Sequence, residues 1–239
     1  MILFYIRHGD PIYEPDQLTP LGRRQAEAVS GRLARYGLDR VFASTSIRAQ
    51  QTARPTCELV KQEPVLLDFA NEQHAWDQLS TLNEAGDWRW CFHIPAISRK
   101  FATKSVRNMG DHWYEHPDLA QYDFGPGIER INRETDAWLA TLGYEHDREQ
   151  GCYRITRANE ERVALFAHQG FGLGFLSAVL DIPYPQICTH FDMCHTGMTV
   201  IEFANNADGI TVPRALTVSD DSHLYREGLP TKYNNYLYF

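Results

Sequence analysis

Ile2-Leu3-Phe4-Tyr5-Ile6 is an unbroken apolar run that leads straight into Arg7-His8-Gly9. Apolar residues without alternation are what a strand buried on both faces requires, as in a parallel sheet covered by helices. Arg162-Val163-Ala164-Leu165-Phe166-Ala167 repeats the pattern, and Asp39 to Ala43 and Glu63 to Phe69 give two further strands. Between the strands the period becomes helical. Leu21, Gln25, Val29 and Leu33 recur every four residues, and Ala26 and Tyr36 widen the stripe. Thr19-Pro20 supplies a cap and a first-turn proline, and Gly37 supplies the stop. Ser44-Thr45-Ser46 caps a second helix over Ile47 to Lys61, and Phe171 to Leu180 reads as a short helix behind the strand at 162–167. Such alternation predicts an α/β fold, a mostly parallel sheet with helices on both faces.

From Asn71 to Gly127 the pattern breaks up, with tryptophans at 76, 88, 90 and 113 in no clean period, and this stretch is expected to be an insertion. Helical period returns over Ile128 to Leu142, and Tyr144 to Thr156 reads as a hairpin around Gln150-Gly151. Thr196 to Phe203 and Ile210 to Val218 predict two late antiparallel strands at one edge, joined by a turn over Asn205 to Gly209.

Composition narrows the function classes. With 239 residues and 43% hydrophobic content the chain fits one large domain or a core domain with a sizeable insertion. A net charge of −8 argues against a nucleic acid or an anionic membrane as the main partner, so any anion site must be local. The five cysteines are odd in number and form no C-x-x-C pair, which suits reduced thiols in the cytoplasm. No apolar run approaches about 18 residues and no charged leader precedes the first strand, so neither a membrane span nor a secretory signal is expected.

The candidate chemistry sits where strands end. Open α/β sheets bind ligands at the carboxyl ends of their strands, and Arg7-His8-Gly9 stands at such an end. A solvated arginine beside a surface histidine is the plain alternative. Arg48 lies in the first turn of a helix, where free N–H groups and the dipole already favour an anion. Arg7 and Arg48 both follow strands, and two forked guanidiniums brought to the same sheet end suit a tetrahedral dianion. His168 again follows a strand and precedes a helix opened by Gly170 and Gly172, although a satisfied structural histidine also fits that place.

Arg7-His8-Gly9, the block Leu18 to Ala26 and the block Ser44 to Ala53 together resemble the histidine phosphatase superfamily, which includes the cofactor-dependent phosphoglycerate mutases. The similarity runs over residues 1–72 and 160–180. It implies a three-layer α/β/α sandwich forming a single domain over 1–239, with an inserted cap at about 71–127. It further implies a phosphohistidine intermediate on His8, with Arg7 and Arg48 neutralising the phosphoryl oxygens and His168 donating to the same group. Asn71-Glu72 resembles the family's acid-bearing segment, which makes Glu72 the candidate general acid, with Asp68, Asp77 and Glu84 as alternatives. Gln169 departs from the glycine usual after the second histidine. Gln169 and His223 are candidate substrate-side residues, the latter from a late loop where a surface position is the plain reading.

The expected activity is a metal-independent phosphomonoesterase acting on a small soluble phosphorylated metabolite, with no cofactor and with homodimer formation left open. A phosphoglycerate-type mutase and a non-catalytic phospholigand-binding protein are the alternatives. Gly170-Phe171-Gly172-Leu173-Gly174 lacks G-x-G-x-x-G spacing because position 175 is Phe, which excludes a dinucleotide fingerprint. Cys188, His190, Asp192 and Cys194 alternate as if on one face of a strand, with His195 adjacent; packing rather than a metal is expected there. Arg99, Lys100, Lys104 and Arg107 form a basic run that either faces solvent or reaches over the pocket.

Overall fold

The computed structural model describes residues 1–234. Six strands, β1 (Ile2–Arg7), β2 (Arg40–Ser44), β3 (Val65–Leu67), β4 (Arg162–Ala167), β5 (Met198–Glu202) and β6 (Arg214–Asp220), make a central sheet in the order β6-β5-β1-β4-β2-β3. The pairs β1 with β4, β4 with β2 and β2 with β3 are parallel, whereas β5 runs antiparallel to β1 and to β6. The register sets Arg7 beside Ala167 and Ser44 beside Leu67, so the loops after β1, β4, β2 and β3 leave from one edge.

Both faces of the sheet are covered, as the unbroken apolar runs require. Phe4, Ile6, Val41, Ala43, Ala164 and Phe166 pack against Val29 and Leu33 of α1 (Pro20–Tyr36) and Ala53 and Cys57 of α2 (Ile47–Val60). The alternate positions Leu3, Tyr5, Phe42, Val163 and Leu165 face the opposite way. They pack with residues of α4 (Gly125–Thr141) and α5 (Gln169–Leu180), namely Ile131, Trp138, Leu173 and Phe175. Each large side chain buried in this way contributes about 1.5–3 kcal/mol. The predicted start and stop of α1 appear as read: the Thr19 hydroxyl accepts from the Gly22 amide at 3.0 Å, and the Gly37 amide donates to the Leu33 carbonyl at 3.1 Å.

Three expectations are corrected. The strand expected over Glu63 to Phe69 is only three residues long, because Asp68–Ala70 turns as a 3₁₀ segment. Ile210–Thr211 does not join the central sheet; it pairs with Cys152–Ile155 of the hairpin, and Arg214–Asp220 forms the sheet edge instead. Pro213, which has no N–H to donate, separates the two segments. The Cys188 to Cys194 alternation is not a strand, since Tyr184–His190 is a helix with Pro185 in its first turn.

Residues 71–127 hold α3 (Glu72–Leu79), a hairpin of Ser80–Leu82 with Trp88–Trp90, and short helices at Pro95–Phe101 and Lys104–Arg107. Their aromatic side chains Trp90, Phe101, Trp113 and Phe124 enter the same core as Phe171 and Phe175. No helix among the described residues is long and apolar enough to cross a membrane.

Candidate active site

His8 follows β1 and is 1% exposed. Its Nδ1 lies 2.7 Å from the carbonyl oxygen of Gly9. A carbonyl only accepts, so Nδ1 carries the proton and Nε2 keeps a bare lone pair. Burial holds the ring well below the ordinary imidazole pKa, and the charges of Arg7 and Arg48 push in the same direction. Desolvation is the larger cause, and the flanking cations add to it. Gly9 is required sterically, because a Cβ there would lie 2.6 Å from the Gly22 carbonyl oxygen of α1.

Arg7 is fully buried, and its guanidinium is fixed from several sides. Nη1 donates to the Met193 carbonyl, Nη2 donates to Asn234 Oδ1 at 2.6 Å, and His195 Nε2 lies 2.9 Å from Nη2. Arg48, at the start of α2, donates through Nη1 to Asp16 Oδ1 at 2.8 Å, and its Nη2 lies 3.8 Å from Glu72 Oε2. The other Asp16 oxygen accepts the Ile47 amide at 2.7 Å, so this carboxylate sits on the N-terminus of α2 while aligning Arg48. The Nε atoms of both arginines are buried without a hydrogen-bond partner among the described residues.

His168 caps α5, and its ring is turned by two serines. Ser44 Oγ lies 2.8 Å and Ser46 Oγ 3.2 Å from Nε2. Neither serine hydroxyl has another acceptor among the described residues, so donation of both to Nε2, with the ring proton on Nδ1, is the arrangement that uses their protons. Nδ1 lies 3.4 Å from Glu72 Oε2 and has no hydrogen-bond partner among the described residues. Burial, followed by the proximity of His8 and the two arginines, lowers the pKa of His168 and keeps it neutral.

Glu72 is the first residue of α3, capped by the Asn71 side chain, and its own side chain is 15% exposed. Its Oε1 accepts the Phe171 amide at 3.1 Å. Burial raises the Glu72 pKa above the ordinary carboxylate value, opposed by Arg48 and by the Phe171 amide. A side chain at Gly170 would place its Cβ 2.4 Å from the Trp90 ring and 2.8 Å from Glu72 Oε1. Glycine there lets the acid and the indole close on the start of α5.

Arg48 and Glu72 border a cavity of about 760 Å³, together with Tyr13, Trp76, Trp90 and Gln169; Arg7, His8 and His168 are buried and are not among its bordering residues. Gln169 is buried, donates to Asp192, and accepts the Asn234 amide at 3.2 Å. His223 is not brought into this cavity and is not on the surface: it is 3% exposed on the short helix α6 (Ser222–Arg226), with Nε2 3.0 Å from Thr196 Oγ1. The basic run Arg99, Lys100, Lys104 and Arg107 does not border the cavity, whereas Arg89 does. Among the described residues the metal-type donors that lie close together are those of His8, Glu72 and His168, all within 4.8 Å of one another, rather than Cys188 to His195. Sequence reasoning passed over Asp16, His195 and Asn234. Asp16 and Asn234 lie in polar segments without periodicity, and His195 had been grouped with a supposed strand.

Residues 3–95 match the histidine phosphatase superfamily, branch 1. A PE-PGRS family protein of Mycobacterium tuberculosis is 33% identical over 99 residues, which is 36% of this chain but 17% of that protein, so the chain spans less than a fifth of this relative. Among solved structures, mycobacterial glucosyl-3-phosphoglycerate phosphatase aligns with TM-score 0.57 at 18% identity, covering 91% of this chain and 98% of its own. Phosphoserine phosphatase from Entamoeba histolytica, solved with phosphoserine, aligns with TM-score 0.58 at 17% identity, covering 93% and 98%. At such identity these structures establish the fold alone. The match over residues 3–95 spans the Arg-His-Gly strand end and the Arg48 helix: over these residues the chain is similar to the histidine phosphatase superfamily, and its fold as a whole is similar to that of the solved phosphatases.

Proposed function

We propose that this chain is a metal-independent phosphomonoesterase that hydrolyses a small phosphorylated metabolite through a phosphohistidine on His8. The observation that carries the reading is a set of buried, unpartnered atoms on Arg7 and Arg48, whose charges act on His8, and on His168, whose ring centroid lies 5.2 Å from that of His8. Arg7 Nε, Arg48 Nε and His168 Nδ1 are buried donors with no protein acceptor, and a phosphoryl group offers them oxygens. In the first step His8 Nε2 attacks phosphorus, the bond from phosphorus to the ester oxygen breaks, and Glu72 gives its proton to the departing oxygen. In the second step the Glu72 carboxylate takes a proton from water, whose oxygen attacks phosphorus; the P–N bond breaks and frees His8 and inorganic phosphate.

Hydrolysis is favoured over mutase action by Asp16. Its carboxylate already occupies the N-terminus of α2 beside Arg48, where it would repel a second anionic group of a bisphosphate. The structural relatives named for phosphoserine and glucosyl-3-phosphoglycerate act on small phosphorylated compounds, which supports the same class here. Residues 71–127, which supply Glu72, Trp76, Trp90 and Arg89 to the cavity wall, serve as its cap. The five cysteines are free thiols, in keeping with a cytoplasmic setting.

The test is phosphate release across sugar phosphates, nucleotides, phosphoserine and phosphoglycerates. Stoichiometric inorganic phosphate from a good substrate is expected. Interconversion of 2- and 3-phosphoglycerate that requires the bisphosphate and releases no phosphate would contradict hydrolysis.

A further inference from the structure

A second cavity, of about 580 Å³, lies between α1 and α6, and it shares none of its bordering residues with the catalytic cavity. In a chain of net charge −8 its walls carry Arg24, Arg32, Arg35 and Arg226 against Glu27 and Glu227. Arg32 is held by Asp220 at 2.9 and 3.0 Å, and Arg226 lies 3.5 Å from Glu227. Arg24 and Arg35 have no ion pair among the described residues. Gly31, mid-helix in α1, also borders the cavity, and a Cβ built there meets nothing within 4 Å.

His223 forms part of the same wall, and one of its nitrogens is unused. The Thr196 hydroxyl donates to the His195 carbonyl at 2.7 Å, so it must accept from His223 Nε2, which lies 3.0 Å away. That leaves Nδ1 as a bare acceptor, and this buried atom has no partner among the described residues. Burial, reinforced by Arg32, lowers the ring to a pKa of about 4, so it stays neutral near pH 7. Buried polar atoms are normally satisfied, and what suits this one is a donor such as a hydroxyl.

We propose that this cavity is a binding site for a small organic polyanion bearing a hydroxyl group, its acid groups held by Arg24, Arg35 and Arg226 and its hydroxyl donating to His223 Nδ1. Guanidiniums pair with carboxylates or phosphates in a bidentate manner, and Gly31, on α1 between Arg24 and Arg35, leaves room for the carbon skeleton. Through His223 the site touches Thr196, whose amide lies 3.1 Å from the Arg7 carbonyl and 3.3 Å from the His8 carbonyl.

Citrate is a suitable probe because it combines three carboxylates with one hydroxyl and has no phosphate to hydrolyse. Calorimetric titration should be done with excess inorganic phosphate present to fill the catalytic cavity. One saturable citrate site is expected, weakened by about tenfold or more in the Arg24→Ala/Arg35→Ala variant. Gly31→Met should abolish it while Gly31→Ala retains it, and tricarballylate, the same acid without the hydroxyl, should bind less tightly. Absence of saturable binding, displacement of citrate by phosphate, or equal affinity in the wild type and the double arginine variant would overturn the proposal. Because the readout is binding and not turnover, failure of the hydrolase reading would leave this result unaffected.

Discussion

Glu72 Oε2 lies 3.4 Å from Nδ1 of His168, while its other oxygen accepts the Phe171 amide at 3.1 Å. The carboxyl group of α3 is thereby fixed at the start of α5, beside His168. A general acid must be close to the leaving oxygen and must still hold its proton, and burial raises the Glu72 pKa in the required direction. Glu72→Gln should slow hydrolysis of alkyl phosphates by about 10²- to 10⁴-fold. p-Nitrophenyl phosphate, whose phenolate departs without help, should lose far less in its phosphorylation step. Equal losses measured on both esters by single-turnover kinetics would move the acid role to another carboxylate.

The same shift gives a pH dependence. Glu72 acts as an acid only when protonated, so kcat/KM for an alkyl ester should fall as pH rises through its raised pKa. His8 must be neutral, and its pKa is depressed, so the acid limb should lie below the ordinary imidazole range. In Glu72→Gln the alkaline limb assigned to Glu72 should vanish while the acid limb stays. A pH–rate profile of both proteins, corrected for the ionisation of the substrate, checks this; an unchanged alkaline limb would contradict it.

Gly170→Ala tests the close approach of α5 to Trp90 and Glu72. Its methyl group would fall 2.4 Å from the indole, so either the segment carrying Trp90 or the helix must shift. Overpacking of this kind costs about 1–3 kcal/mol in denaturant unfolding. Activity should fall with it because Glu72 is displaced. A variant of wild-type stability and turnover would show that the contact is not required.

Thr196 adopts φ of +57°, an unusual conformation for a β-branched residue, and it is held there by bonds to His195, His223 and the Arg7 carbonyl. Thr196→Val keeps the shape but removes the hydroxyl, leaving the His223 N–H and the His195 carbonyl without this partner. A loss of about 1–3 kcal/mol is expected from urea unfolding. Stability equal to that of the wild type would mean that the hydroxyl bridge contributes nothing net.

His8, Glu72 and His168 offer donors within 4.8 Å of one another, a set that would also suit a divalent cation. In the phosphohistidine mechanism the cation is an intruder, because it would occupy the nucleophile's lone pair. Zinc should therefore inhibit, EDTA should reverse the inhibition, and exhaustive dialysis against EDTA alone should leave turnover intact. Activity lost on chelation and restored by zinc would replace this mechanism with a metal-assisted one.

Where sequence reading succeeded, it did so because one physical constraint dominated. Strands buried on both faces, such as Ile2–Arg7 and Arg162–Ala167, must be continuously apolar, and parallel pairing then carries Arg7, Arg48 and His168 to the same edge of the sheet. Arg7-His8-Gly9 and Asn71-Glu72 were legible as motifs, but the bond from His8 to Gly9 that leaves Nε2 bare was not, since it depends on the rotamer of one ring. His223 was misread as exposed because α6 is short and polar in sequence and is buried by distant α1. The supposed strand at Cys188 failed because period two over a few residues does not outweigh a proline-led helix. Asp16 and Asn234 act through contacts 32 and 227 positions away, and no local pattern encodes such contacts.

The central claim is that His8 Nε2 takes the phosphoryl group, and trapping the intermediate tests it most directly. Rapid quench with labelled substrate, followed by phosphorus NMR of the adduct under alkaline conditions, reports both the residue type and the ring nitrogen. The account predicts an acid-labile, base-stable phosphohistidine bonded through Nε2 and absent from His8→Ala. An adduct that persists in His8→Ala, or one bonded through Nδ1, would contradict it.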